Sequence, residues 1–195
     1  MNKGLALGCS HTAGVGINYS DCYVTFLSQH YQTTIKNLAV PGGSHEQVES
    51  NLINEIKNDC PDFVIVQWPN PFRRTIWNGE RSNLENITNA SSVFKQLLKL
   101  GEKNFYTPWI QSIVTCNTVC TVAKVPIVNI MLENLEEQYY LKLKKEGIVL
   151  HVDEKLPGKT WLFDSAANDN MHHSARCHRA WADRLVGLID ENTAR

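Results

Sequence analysis

Four short apolar runs, each followed by a stretch with helical periodicity, constrain this chain more than any other feature. They lie at 4–8 ("GLALG"), 34–40 ("TIKNLAV"), 62–68 ("DFVIVQW") and 125–132 ("VPIVNIML"), with a weaker fifth at 147–152 ("GIVLHV"). The third and fourth are nearly unbroken in Val and Ile. A continuous apolar run needs cover on both faces, which is the situation of a buried parallel strand. Helical patterns fill the intervals. Residues 20–31 begin at Ser20, a good N-cap. Residues 44–58 set Val48, Leu52, Ile53 and Ile56 on one face, with Ser44 and Gln47 spaced for a capping box. Further patterns run over about 91–122, with breaks expected near Gly101 and Pro108, and over 134–147, ending at a glycine. The last covers 174–192, with Ala180, Leu185, Leu188 and Ile189 facing inward.

Strict alternation of this kind predicts an α/β protein. The expected form is a three-layer α/β/α domain around a doubly wound parallel sheet of four to five strands, in flavodoxin-like order. Right-handed crossovers then put helices on both faces. The 195 residues suit one domain spanning 1–195. Its one irregular stretch is a substrate-side loop at about 69–90, long enough to expect a role in function.

Composition excludes several classes. A formal net charge of −1 lacks the basic excess of a nucleic-acid partner. No apolar run approaches the ~20 residues of a membrane span. The first residues, "MNKGLALGCSH", do not form a secretory signal, so a cytoplasmic location is expected. The six cysteines then read as reduced thiols, and the sequons at 86–88 and 89–91 as idle. Cys116 and Cys120 share a helix face, but zinc would need a second pair from His172, His173, Cys177 and His178. The simpler reading is thiols without a metal, and no metal or organic cofactor is expected.

Open α/β sheets bind ligands beyond the carboxyl ends of their strands. Four segments converge there: "GCSHT" after the first strand, "VPGGSH" after the second, "QWPNPFRR" after the third, and "DSAANDNMHHSARCHRAW" before the last helix. The first is glycine-rich, yet it lacks the Gly-Lys-Ser/Thr of a phosphate loop and the spacing of a dinucleotide fingerprint. Ser10 is therefore a turn residue or helix cap, or else a nucleophile. The late segment bears on that choice. A serine nucleophile needs a base within hydrogen-bond reach and a group that orients the base. Asp169 and His172, three apart, can supply both from one turn.

Together these blocks resemble the SGNH (GDSL-like) hydrolases, in the expected order from residue 5 to about 189. "LALGCSHTAGVG" is similar to that family's strand ending in Gly-Asp-Ser, with Cys9 in place of the aspartate and Ser10 at the nucleophile position. "NLAVPGGSHEQV" resembles the second block, with Gly42 at the position whose N–H helps form the oxyanion hole. "DNMHHSARCHRAWADRL" resembles the last block, with Asp169 and His172 at the acid and base positions and His173 in place of proline. The third block departs most. Asn70 matches the oxyanion asparagine only after a one-residue shift, with Trp68 or Pro69 for the glycine and Pro71 for the aspartate.

The resemblance implies a serine esterase with a Ser10–His172–Asp169 triad and an oxyanion hole from Ser10, Gly42 and Asn70. His11, Trp68, Arg73 and Arg74 are the expected substrate-side residues. The expected substrate is a small-molecule or glycan ester with a short, acetyl-like acyl group. Two alternatives share the fold: a ligand-binding module without activity, and an O-acyltransferase. Cys9 as nucleophile and a nucleotide-binding protein are further alternatives.

Overall fold

The computed structural model describes residues 2–77, 84–87, 99, 101, 103–131, 137–152 and 173–194. Five strands form a parallel sheet: β1 (Lys3–Leu7), β2 (Thr34–Asn37), β3 (Phe63–Gln67), β6 (Ile127–Met131) and β7 (Leu150–Val152). Their order is β2-β1-β3-β6-β7. Counting only these strands in chain order, that is 2-1-3-4-5, the expected doubly wound arrangement. Leu7 lies opposite Val66, and Val66 opposite Asn129, so the carboxyl ends of β1, β3 and β6 share one rim.

Side-chain alternation divides the core. Leu5, Leu7, Val64 and Val66 point to the face covered by α3 (His45–Asn58), α4 (Lys103–Ala123) and α5 (Glu137–Lys145). Ala6, Phe63, Ile65, Val128 and Ile130 point to the face covered by α2 (Tyr23–His30) and α6 (Ala175–Thr193). All five residues of β3 are buried, which explains its nearly continuous Val/Ile run. Gly4 is required where β1 meets β3, because a Cβ there would strike the ring of Phe63.

Several boundaries differ from the sequence pattern. β2 ends at Asn37, although Leu38 N still donates to Ala6 O and Val40 N to Gly8 O, so the pairing continues past the strand. The N-cap of α2 is Cys22 rather than Ser20, which falls in a 3-10 turn at Tyr19–Asp21. The cap is supplied from a distance, since Tyr23 N donates to Nδ1 of His178 on α6 at 3.2 Å. In α3, Ser44 N donates to Gln47 Oε1 at 3.2 Å as the capping pattern requires, but Ile53 is exposed. Ala180 is likewise exposed, while Cys177, His178 and Trp181 turn inward.

The stretch at 69–90 is not simply irregular. It contains an antiparallel pair, β4 (Arg74–Trp77) and β5 (Leu84–Ile87), with Arg74 opposite Ile87 and Trp77 opposite Leu84. Pro108 does not break α4. Proline cannot donate to the carbonyl four residues back, and that carbonyl, Asn104 O, instead accepts from Arg74 Nη1 at 2.9 Å. The missing helix bond thus becomes an anchor for the hairpin. No helix among the described residues is long and apolar enough to cross a membrane.

Candidate active site

Ser10 follows β1 directly, at the start of the single-turn α1 (Ser10–Ala13). It is buried, at 6% exposure. The turn is closed by Ala13 N donating to Cys9 O and Val15 N donating to Ser10 O, both at 3.0 Å. Gly8 must be glycine, since a Cβ would collide with the Thr12 hydroxyl and approach Gln67 O.

Gln67, the last residue of β3, holds this turn. Its Oε1 accepts from Cys9 N at 3.3 Å, from Cys9 Sγ at 3.2 Å and from Thr12 Oγ1 at 3.2 Å. Its Nε2 donates to Trp68 O at 3.0 Å. Thr12 Oγ1 accepts in turn from Tyr23 OH at 3.0 Å. Burial raises the Tyr23 phenol pKa, keeping the hydroxyl protonated as a donor. Thr12 O accepts from Asn37 Nδ2 at 2.7 Å. The Ser10 turn is thus tied to β3, α2 and the end of β2. Sequence reasoning missed Gln67, Thr12, Tyr23 and His178. The available signal was a polar Gln closing an otherwise apolar strand.

The late segment meets the early one. The His11 ring lies 4.4 Å from the His173 ring and 6.3 Å from Trp181, while His173 and Trp181 are 5.0 Å apart. The residue after Ser10 therefore packs on the residue after His172. Asp169 and His172 themselves lie outside the described residues. Helix α6 follows at once, with Ser174 Oγ accepting from Cys177 N at 3.4 Å as its N-cap. Trp181 also walls a shallow cleft, open to solvent, with Ile130, Met131 and Leu185 as apolar lining and His151 and Arg184 as polar lining. Burial first, and then the Arg184 cation, push the His151 pKa down.

Gly42 sits in the exposed turn after β2 with φ of +72°, a conformation that glycine adopts without strain. Asn70 forms an Asx turn, its Oδ1 accepting from Phe72 N at 2.9 Å, and its carbonyl accepts from Arg73 N at 2.9 Å. This fixes the amide, with Nδ2 as its donor group.

Two expected substrate-side residues have other work. Trp68 is 1% exposed and belongs to the core on the α3/α4 face. Its Nε1 donates to Asn129 Oδ1 at 2.9 Å, because an indole buried there needs an acceptor. Arg74 is committed to Glu46 Oε1 and Asn104 O. Arg73 is not so engaged. Cys116 and Cys120 are buried within the core, where desolvation raises the pKa of both thiols. Among the described residues no group of three His, Cys, Asp or Glu side chains is placed to hold a metal.

No family model and no curated protein matches the sequence. Solved structures do. One is the psychrotrophic esterase EstA from Pseudoalteromonas sp., with 13% identity, 98% of each chain covered and a TM-score of 0.63. Another is an acetyl xylan esterase, with 11% identity, 96% of this chain and 99% of that chain covered, and a TM-score of 0.61. A member of the lipolytic protein G-D-S-L family from Veillonella parvula shares 13% identity over 96% of this chain and 98% of its own, with a TM-score of 0.58. Strand order, helix placement and near-complete coverage agree: this chain has the α/β fold of the G-D-S-L lipolytic proteins and esterases.

Proposed function

We propose that the chain is a serine ester hydrolase of the SGNH type. The observation that carries this reading is Ser10. It sits on a braced turn at the carboxyl end of β1, in a fold shared with esterases, and its neighbour His11 packs against His173 of the late segment. In this reading His172 takes the Ser10 hydroxyl proton as Oγ attacks the ester carbonyl, and Asp169 orients His172 and stabilises its charged form. The N–H groups of Ser10 and Gly42, with Asn70 Nδ2, stabilise the oxyanion. His172 returns the proton to the departing alcohol. Water then attacks the acyl-enzyme, giving its proton to His172, and the carboxylic acid leaves as Ser10 is restored. The substrate is an ester of a small molecule or glycan with a short acyl group. The apolar cleft beside Trp181 and the likeness to an acetyl xylan esterase both support that class.

The test is covalent labelling with a fluorophosphonate probe, together with hydrolysis of 4-nitrophenyl acetate. Wild-type protein is expected to label and turn over, and Ser10→Ala to do neither while remaining folded. Labelling that persists in Ser10→Ala would move the nucleophile elsewhere. A folded wild type that is inert to both reagents would favour a binding module.

A further inference from the structure

Arg73 stands apart from every other described arginine near the site. Among the described residues its Nη1 is buried with no hydrogen-bond partner, and no carboxylate pairs with it. The nearby acid is already committed. Glu46 takes Arg74 on Oε1 and Thr75 N on Oε2. A guanidinium cannot shed its charge to escape burial, as a lysine can, so a desolvated donor on it calls for an anion.

The position is rigid. The Asn70–Arg73 turn is closed by Arg73 N donating to Asn70 O, and by the Asx bond from Phe72 N to Asn70 Oδ1. Trp109 Nε1 donates to Pro69 O at 2.9 Å, and the Phe72 ring packs 5.0 Å from Phe105 and 5.7 Å from Tyr106 on α4. The turn is also at the right end of the sheet. It leaves β3 just after Gln67, whose amide grips the Ser10 turn. The turn fixes the arginine's backbone, and its guanidinium is a planar fork suited to a carboxylate.

We infer that Arg73 is a specificity residue that binds a carboxylate on the substrate, so that the preferred esters are monoanionic. This rests on Ser10 being the nucleophile only for the turnover part of its test. Arg74, next in sequence, is the structural partner that anchors β4.

The experiment compares kcat/KM for neutral 4-nitrophenyl acetate and for the monoanionic 4-nitrophenyl hydrogen succinate, in wild type, Arg73→Lys and Arg73→Gln. The wild type is expected to favour the anionic ester by about tenfold or more, as befits a charge-assisted hydrogen bond. Arg73→Gln is expected to bring that ratio near one through KM for the anionic ester, and Arg73→Lys to retain part of it. A wild-type ratio near one, or a ratio unchanged in Arg73→Gln, would overturn the assignment. Thermal stabilisation of Ser10→Ala by succinate gives a readout without turnover. A shift that disappears in Ser10→Ala/Arg73→Gln supports the site even if neither ester is hydrolysed, in which case the nucleophile reading alone has failed. A shift with inorganic phosphate but none with succinate overturns the carboxylate.

Discussion

At the scale of single residues, position 9 decides how the Ser10 turn is held. The resemblance to SGNH hydrolases sets an aspartate there, and this chain has Cys9, 3% exposed, with both N and Sγ donating to Gln67 Oε1. An acceptor amide oxygen facing a donor thiol is a matched pair. A carboxylate at position 9 would set acceptor against acceptor. Turning the Gln67 amide over would relieve that contact, but it would leave Trp68 O, Cys9 N and Thr12 Oγ1 wrongly faced. Cys9→Asp is therefore expected to lower stability by about 1–3 kcal/mol, the cost of buried polar groups left unpaired, and to slow fluorophosphonate labelling of Ser10. Cys9→Ser keeps a donor and is expected to stay within about 1 kcal/mol of wild type, since its hydroxyl can make the same bond. Urea midpoints and labelling rates read both effects. A Cys9→Asp protein as stable and as reactive as Cys9→Ser would refute the matched-pair account. That Ser10 follows the first strand and Gly42 the second was legible in the sequence, because each closes an apolar run, whereas Asp169 and His172 lie outside the described residues. Gln67 and Thr12 were not legible, because their roles depend on two strands that are neighbours in the sheet and far apart in the chain.

Between elements, the hairpin β4–β5 is fastened to α3 and α4 by polar side chains. Arg74 joins Glu46 at the start of α3 to Asn104 O in α4, and Ser44 Oγ hydrogen-bonds Thr75 Oγ1. Beneath them His45 is fully buried, with Nδ1 against Ser112 Oγ at 2.9 Å and Nε2 3.4 Å from Glu46 Oε1, while Ser112 Oγ also donates to Glu49 Oε2 at 2.6 Å. Burial first pushes the His45 pKa down to about 4; the Arg74 cation adds to this, and the Glu46 carboxylate opposes it. The unfolded chain takes up this proton near pH 6.5 and the folded chain only near 4, so the unfolded state binds more protons between those values. Stability at His45 is therefore fully present above pH 6.5 and is lost as pH falls towards 4. The loss is on the order of 3 kcal/mol, at about 1.4 kcal/mol per pKa unit. His45→Gln keeps a polar partner for Ser112 and removes the titration, so its urea midpoint is expected to fall less steeply between pH 6.5 and 4 than that of wild type. Equal slopes would show that His45 is not the titrating group. None of this was visible beforehand. The hairpin strands are four residues each, too short for a periodic signal, and Pro108 read as a break because the chain alone does not show that Arg74 takes the carbonyl it frees.

For the whole molecule, one sheet serves two cores. The doubly wound order was legible because the β3 and β6 runs have no polar face to leave in water, and that pattern survives any uncertainty about where helices begin. Since β1 and β3 send alternate residues to opposite faces, neither core can open without disturbing the strands that carry the other. Leu27 and Ile113, both fully buried, lie in the α2/α6 core and the α3/α4 core respectively. Leu27→Ala and Ile113→Ala are each expected to cost about 2–5 kcal/mol, from lost burial and the cavity left behind. The sharper expectation concerns where the loss appears. Trp68 and Trp109 lie in the α3/α4 core, across the sheet from Leu27, whereas Trp181 shares the core of Leu27, so the comparison is made in a Trp181→Phe background. If the sheet couples the two faces, Leu27→Ala shifts the tryptophan fluorescence transition and the far-UV circular dichroism transition by the same amount, and Ile113→Ala does likewise. A Leu27→Ala protein whose dichroism melts early while its fluorescence transition stays at the wild-type midpoint would show that the α3/α4 face, with Trp68 beside the Gln67 brace, holds together without the helices opposite.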